Sequence, residues 1–349
     1  MNSYKENTIF SSQNMRDALE RINEVPNGSL TLFITDTEGK MEGTLTDGDI
    51  RRALLKGFDL NTPVEEFMNK NFRYLKKCEF DLQDVEDAKN GKINLLPMLD
   101  KEKRISRIID LSVKRSVLPI DAVIMAGGRG SRLQPLTDET PKPLLKVNDK
   151  PIIEYNTDQL SRYGIDNIYI SVKYLGDQIL NYFGDGSDQG INFQYIKETQ
   201  PLGTLGAVGK VEAFENPYVL VMNSDLLTNI DYEDFFRSFM ESDADLTIAT
   251  TPYEVNVPYA VLESQNDRIV SFKEKPTYTY YSNAGIYLMK RSFTESIPKD
   301  TFYNATDLIE SLIQSGKKVT HYPILGYWLD IGKPQDFKKA QEDVTKIKF

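Results

Sequence analysis

The sequence predicts an α/β protein in two parts, a doubly wound domain from about residue 120 onward and a smaller α+β unit before it. Three observations predict this. After Ile120 short apolar runs alternate with helical spacing, the pattern of a sheet layered with helices. The first of those runs empties into a glycine-rich loop. Before Pro119 a helix–strand–strand–helix unit reads as occurring twice.

In the first part, Met15, Leu19 and Ile22 share one face of a helix predicted over Met15–Val25. Leu30–Thr35 reads as a strand, Asp36-Thr37-Glu38-Gly39 as a turn and Met41–Leu45 as a second strand. Thr46 and Asp47 are placed to cap the helix that follows. The second pass is weaker: a helix at Leu82–Ala88, a strand at Ile93–Leu99, a turn at Asp100-Lys101-Glu102 and a strand at Arg104–Leu111. Val113–Pro119 is the predicted junction.

In the second part the expected strands are Ala122–Ala126, Ile168–Val172, Asn192–Tyr195, Tyr218–Met222, Leu246–Thr250 and Gly285–Met289. Helices are expected at Ile152–Tyr163, Leu205–Glu212, Tyr232–Glu241 and Thr306–Ser315.

Composition narrows the function. A chain of 349 residues has room for two or three domains, and 40% hydrophobic with 27% charged residues is ordinary for a globular protein. The net charge of −10 argues against nucleic acid as a partner, because phosphate backbones need clustered cations. Cys78 is the only cysteine, which excludes an internal disulfide and a cysteine zinc site. His321 is the only histidine, which excludes Ser-His-Asp and multi-histidine metal chemistry; beside Tyr322 and Pro323 it reads as structural. Residues 1–10 are polar and no apolar run approaches membrane-spanning length, so the expected location is the cytoplasm, with no membrane partner.

The loop carries the chemistry. Ala126, Gly127, Gly128 and Gly130 follow the first strand, and glycines there let backbone N–H groups close on an anion. Arg132 and Lys142 add fixed positive charge, with Pro135, Pro141 and Pro143 stiffening the chain between and around them. A Walker A loop would need Gly-Lys-Ser/Thr where this chain has Gly130-Ser131-Arg132, and a dinucleotide fingerprint would need a third glycine on the helix. An ordinary Gly-rich turn would not require the Arg and Pro-Lys-Pro that follow. The string Gly128-Arg129-Gly130-Ser131-Arg132-Leu133…Pro141-Lys142-Pro143 resembles the signature of the sugar-1-phosphate nucleotidyltransferases.

Further phrases extend that resemblance over residues 120–349. Tyr218–Met222 runs through Asn223-Ser224 into Asp225, and Tyr327-Trp328-Leu329 runs into Asp330-Ile331-Gly332. Strand-end aspartates are often only turn formers, but in this order they are similar to the family's pair of Mg2+ ligands. Ser224 departs from the glycine usual before the first of them. Glu274-Lys275-Pro276 resembles the element whose Glu contacts the sugar and whose Lys contacts its phosphate, and Asn283 in Asn283-Ala284-Gly285 is the implied sugar-hydroxyl partner. Alone, this lysine-rich turn would be a solvated surface. Glu198, Gly203 and Thr204, in Glu198-Thr-Gln-Pro-Leu-Gly203-Thr204-Leu-Gly206-Ala207, stand where the base is read, in a form similar to guanylyltransferases; tight packing would equally explain these glycines. Val257-Pro258-Tyr259 would border the sugar pocket.

The first part resembles a tandem pair of CBS domains, on Leu45-Thr46-Asp47-Gly48-Asp49-Ile50-Arg51-Arg52. In that family a Thr/Ser-x-x-Asp pair, here Thr46 and Asp49, contacts an adenine nucleotide; capping a helix explains the same two residues. The second copy has Ile109-Asp110-Leu111-Ser112 at the matching place and lacks the pattern.

Together the resemblances imply a mixed, Rossmann-like sheet of the glycosyltransferase-A type (residues 120–349) behind a regulatory or dimerising CBS pair (residues 1–115). This fusion is similar to the guanylyltransferases that make GDP-glucosamine in bacterial legionaminic acid pathways. The implied substrates are GTP and a sugar 1-phosphate, the cofactor Mg2+ and the assembly a homo-oligomer. Arg132, Lys142, Asp225, Lys275 and Asp330 are the implied catalytic set. The rivals are mannose-1-phosphate guanylyltransferase and a non-catalytic sensor of nucleotide sugars.

Overall fold

A computed structural model describes residues 6–25, 30–77, 79–347 and 349; Cys78 and the first five residues of the polar N-terminus lie outside them. The chain forms two compact units, Met1–Pro119 and Ile120–Phe349.

The first unit is built twice from one plan. The first copy runs β1 (Thr8–Phe10), α1 (Met15–Glu24), β2 (Thr31–Thr35), β3 (Met41–Thr46) and α2 (Asp47–Leu55). The second runs β4 (Leu75–Lys76), α3 (Leu82–Asn90), β5 (Leu95–Leu99) and β6 (Ile105–Asp110). In each copy the first strand pairs parallel with the second, which pairs antiparallel with the third. Local chemistry repeats as well. Asn14 and Asp17 form a reciprocal capping box on α1, and Asp81 and Asp84 form the same box on α3. Asp36 Oδ1 accepts from the N–H groups of Glu38 and Lys40, and Asp100 Oδ1 accepts from those of Glu102 and Arg104. These short side-chain bonds substitute for water at a turn and a helix start. The copies meet where Lys40 bridges Arg104, over a core of Phe33, Met41, Leu99 and Ile105.

Only the first copy carries a helix after its third strand. Thr46 is that helix's N-cap: its hydroxyl accepts from Asp49 N–H at 3.2 Å and donates to Asp49 Oδ2 at 2.7 Å, while Thr46 N–H donates to the same carboxylate at 2.9 Å. Arg52 Nη2 donates to Asp49 Oδ1 at 2.6 Å. Both residues singled out for a nucleotide are thus engaged in the cap, the simpler of the two readings of this motif.

The second unit runs β7 (Ile120–Met125), β8 (Lys146–Val147), β9 (Lys150–Pro151), α4 (Ile152–Arg162), β10 (Asn167–Val172), α5 (Gly176–Phe183), β11 (Asn192–Lys197), β12 (Tyr218–Asn223), β13 (Leu226–Thr228) and α6 (Tyr232–Glu241). It continues with β14 (Leu246–Asn256), β15 (Val261–Gln265), β16 (Arg268–Lys273), β17 (Thr277–Lys290), α7 (Ala305–Gln314), β18 (Val319–Pro323), β19 (Trp328–Asp330) and α8 (Pro334–Asp343). Seven strands form one mixed sheet in the order β11-β10-β7-β12-β17-β14-β18. Only β17 runs antiparallel to its neighbours. The buried runs of β7, β10 and β12 show no alternation, because both faces are covered. Val123 and Val221 pack with Leu308 of α7, whereas Met222, on the other face, receives the Tyr232 hydroxyl of α6.

The order of strands sets the site. From β7 the chain moves outward one way through β10 and β11, then returns to the other side of β7 as β12. Ligands of open α/β sheets gather at such a reversal, outside the carboxyl ends of the strands. The glycine loop leaves the carboxyl end of β7, and Asp225 follows the carboxyl end of β12.

Two elements differ from expectation. The helix expected at Leu205–Glu212 is one short 3₁₀ turn, Val208–Lys210. A Cβ on Gly206 would lie 2.4 Å from Thr301 O, so this segment is spaced for backbone-to-backbone approach and not for helical side chains. The strands expected at Leu246–Thr250 and Gly285–Met289 are the inner ends of β14 and β17, which run on past the sheet as a ribbon. Among the elements not expected, α5 carries Gly176 at its first position and only two turns of apolar spacing.

The cap on α2 makes a prediction. Burial pushes the Asp49 carboxyl up, but its bonds from Thr46 and Arg52 outweigh this and hold it below the usual carboxylate range. The stabilisation is therefore present above the unfolded carboxyl's range and lost as pH falls through the lowered one. Thr46→Ala and Asp49→Asn should each cost about 1 kcal/mol in denaturant unfolding at pH 7. The Asp49→Asn cost should shrink as the same titration is repeated at successively lower pH, below the usual carboxylate range.

Candidate active site

The glycine loop is held in place by its neighbours. Ala126 N–H donates to Ser171 O of β10 at 2.9 Å, fixing the chain as it leaves β7. Gly130 has φ +65°, and a Cβ there would lie 2.9 Å from Lys142 Cβ, so both its conformation and its surroundings require glycine. Thr137 Oγ1 donates to Gly130 O at 3.0 Å. Ser131 and Arg132 follow on an exposed 3₁₀ turn, and open space surrounds the Cβ position of Gly128.

Glu198 closes the loop's other side. A Cβ on Gly127 would lie 2.6 Å from Glu198 Oε1, which receives the buried Ser171 hydroxyl. Leu202 N–H donates to Glu198 Oε2 at 3.3 Å. The Gly203–Gly206 segment packs closely against the chain that leads into α7. Thr204 Oγ1 accepts from Ala305 N–H at 2.8 Å, and a Cβ on Gly203 would meet Tyr303 O at 2.7 Å. The Thr204 hydroxyl is therefore a cap for α7.

The two aspartates meet through a small pairing outside the main sheet. β13 runs antiparallel to β19 with Leu226 opposite Asp330, and Ile331 N–H donates to Asp225 O at 3.0 Å. Ser224, nearly buried, sends its N–H to Met125 O at the end of β7, which ties this strand end to the glycine loop. Lys142, only 8% exposed, forms an ion pair with Asp225 Oδ2. Asp225 Oδ1 and Asp330 Oδ1 are buried and have no hydrogen-bond partner. Burial pushes the Asp330 carboxyl up, the charge of Asp225 adds to this, and Lys142 and Arg132 oppose it. The Arg132 guanidinium reaches Gly332, about where a Cβ would make a 3.5 Å contact. One point thus gathers two carboxylates, two cations and a loop of N–H groups.

Residues 121–347 match the Nucleotidyl transferase family. The chain belongs to this family. Two curated nucleotidyl transferases are each 31% identical to it: a mannose-1-phosphate guanylyltransferase of Mycobacterium tuberculosis over 235 residues, and a D-glycero-alpha-D-manno-heptose 1-phosphate guanylyltransferase of Aneurinibacillus thermoaerophilus over 229. The matches take in 65% and 64% of this chain, and 65% and 98% of the respective relatives. The chain thus spans just under two thirds of the mycobacterial protein and nearly all of the other. A solved structure described as a putative glucose-1-phosphate thymidylyltransferase from Bacillus anthracis superposes with a TM-score of 0.53 at 26% identity, over 66% of this chain and 97% of that one. These matches support the mixed, Rossmann-like α/β fold of the nucleotidyl transferase domain.

Not every residue singled out in the sequence reaches this point. Glu274 and Lys275 lie exposed between β16 and β17, and Lys275 has φ +44°. Asn283, exposed, is engaged along its own strand: its amide donates to Tyr287 Oη at 2.9 Å and its Oδ1 accepts from Gly285 N–H at 2.8 Å. Three supporting residues were not foreseen. Ser171 holds Glu198, Trp328 Nε1 donates to Ala284 O at 2.9 Å, and Asn223 lies where a Cβ on Gly285 would sit, 2.6 Å from its Nδ2. Trp328 and Asn223 stood within phrases that the sequence had marked, without a role of their own; Ser171 did not.

Two adjacent glycines separate packing from ligand space. Gly127→Ala must displace Glu198, and thermal unfolding should show a loss of about 1–3 kcal/mol. Gly128→Ala meets no atom and should stay within about 0.5 kcal/mol of the parent in the same measurement.

Proposed function

We propose that residues 120–349 transfer GMP from GTP to a sugar 1-phosphate, giving a GDP-sugar and pyrophosphate. The carrying observation is the meeting of the glycine loop, Lys142, Arg132 and the two part-orphaned carboxylates at the sheet's reversal point. An oxygen of the sugar phosphate attacks the α-phosphorus, the bond from that phosphorus to the α–β bridging oxygen breaks, and pyrophosphate departs. The nucleophile is already an anion, so the protein needs no covalent step; its work is alignment and charge neutralisation.

Arg132 and the N–H groups around Gly128 and Gly130 hold the β- and γ-phosphates, and Lys142 steadies the α-phosphate. Asp225 and Asp330 fit a divalent cation, since each has a buried oxygen that a hydrogen bond does not satisfy. Mg2+ bound there supplies positive charge to the phosphates. Glu198 and Gly203 border the base. Glu274, Lys275 and Asn283 serve the sugar phosphate, a role that requires the ribbon carrying the first two to bend toward the loop.

Both 31%-identical relatives carry guanylyltransferase names, which supports GTP. Glucosamine 1-phosphate is the acceptor we favour, on the CBS-like fusion, and mannose 1-phosphate is its rival, on the mycobacterial relative's name. Residues 1–115, with their duplicated βαββ plan, serve as a CBS pair that regulates this activity, and Thr46 and Asp49 mark its adenine-nucleotide site if the capping box opens. No helix among the described residues is long and apolar enough to cross a membrane, which accords with work in the cytoplasm.

Pyrophosphate release measured across five NTPs and a set of hexose and aminohexose 1-phosphates tests this. A Mg2+-dependent signal with GTP and one sugar is expected, and Asp225→Asn should lower turnover by about 10²–10³-fold. Near-normal turnover in that variant would discard the metal assignment. Independently of activity, MgCl2 should raise the melting temperature of the parent and not that of Asp225→Asn or Asp330→Asn. Silence in every pairing, with nucleotide-sugar binding retained, would identify a sensor instead.

A further inference from the structure

The glycine loop and its return carry three cations, Arg129, Arg132 and Lys142. Two of them are set against carboxylates. Lys142 forms its ion pair with Asp225. The Arg132 guanidinium and Asp330 Oδ1 converge beside Gly332, where a Cβ would lie 3.5 Å from the one and 3.6 Å from the other. Arg129 is set against none. It is exposed, and among the described residues its one polar or charged contact is the ring of Tyr174, whose centroid lies 5.4 Å from its Cζ.

That ring is a fixed platform. Tyr174 lies two residues beyond β10, and its hydroxyl donates to Thr137 O at 3.1 Å and Asp138 O at 3.0 Å. Thr137 in turn donates to Gly130 O, so platform and loop are one assembly. The Asp138 carboxylate accepts from Gln134 Nε2 at 2.8 Å and does not draw Arg129 off the ring.

Charge shows what Arg129 is for. The two carboxylates offset the two other cations, so a divalent ion held between them balances only part of a nucleoside triphosphate. On a chain of net charge −10 the rest falls to the loop's N–H groups and to Arg129. Its Cα stands between Gly128, whose Cβ position meets no atom, and Gly130, so phosphates seated on the loop are the ligand atoms it reaches with least movement.

We propose that Arg129 is stored on Tyr174 in the free protein and turns onto the terminal phosphate of the bound triphosphate. The inference rests on the nucleotidyl transfer proposed above and adds the group that tells a triphosphate from a monophosphate. The exchange is favourable. An exposed arginine–aromatic contact is weak, whereas a guanidinium meets a phosphate through paired, charge-assisted hydrogen bonds. Storage over the ring also leaves less side-chain freedom to lose on binding. When the terminal phosphate departs within pyrophosphate, Arg129 neutralises charge on that leaving group and returns to the ring on its release.

Calorimetric titration of the full chain in MgCl2 with inorganic tripolyphosphate, GTP and GMP tests this without catalysis. Arg129→Gln should weaken tripolyphosphate and GTP by about tenfold to a hundredfold and leave GMP within about twofold. Arg129→Lys keeps the charge without the planar fork and should fall between. Both variants should melt with the parent, since Arg129 is exposed and meets no carboxylate. Equal losses for GTP and GMP, or no loss for GTP, would overturn the inference and leave the reaction standing. A parent that binds neither GTP nor tripolyphosphate would strike the reaction itself, and the role of Arg129 with it. A parent that binds tripolyphosphate through Arg129 but not GTP would discard the base and keep the arginine.

Discussion

The pairing of β13 with β19 is the constraint on which the site depends. These two short strands lie outside the main sheet, yet they bring Asp225 beside Asp330 across about a hundred residues of chain. The ladder is what makes an unfavourable arrangement possible. Burial pushes the Asp330 carboxyl up, and the neighbouring charge of Asp225 adds to that push. Lys142 offsets it on one side through Asp225 and Arg132 on the other. Backbone hydrogen bonds and the apolar cluster of Leu227, Leu329 and Ile331 supply the stability that holds the charges in place. Local electrostatic strain supported by a rigid frame is what a cation or polyphosphate site requires.

The same economy governs the glycine loop. Its glycines are not interchangeable. Gly130 answers a backbone need and the presence of Lys142, Gly127 makes room for Glu198, and Gly128 faces space that protein atoms leave open. A motif that reads as one flexible stretch is in the fold two packing positions and one vacancy. The ties among Ala126, Ser171 and Glu198 bind the loop to β10 as well as to β7.

Much of this was legible in the sequence because the decisive signals are local. Apolar runs of five or six residues marked β7, β10 and β12, and the loop and strand-end aspartates were read from adjacent residues. What the sequence withheld was set by distant partners. The Leu205–Glu212 segment has helical spacing, but Gly206 sits against Thr301 O and the helix does not form. Thr204 looked like part of a base-reading loop, and its hydroxyl caps a helix a hundred residues later. Glu274 and Lys275 follow the family phrase, yet their positions depend on the path of an arm with no core of its own. Sequence spacing fixes neighbours within an element; it carries no record of where a long ribbon bends.

The duplicated N-terminal unit has a consequence for how it comes apart. Phe33, Met41, Leu99 and Ile105 form their core across the seam between the copies, and Lys40 pairs with Arg104 on the same seam. Either copy alone would expose that face to water, and its three-stranded sheet carries a single helix or two to protect the other. The repeats are therefore coupled through this shared face, although each also packs a cluster of its own. A cut in the linker between them, near residue 70, would leave each fragment its own cluster, around Leu32 and Ile50 in one and Val85 and Leu96 in the other, with the shared face open to water until the two reassociate.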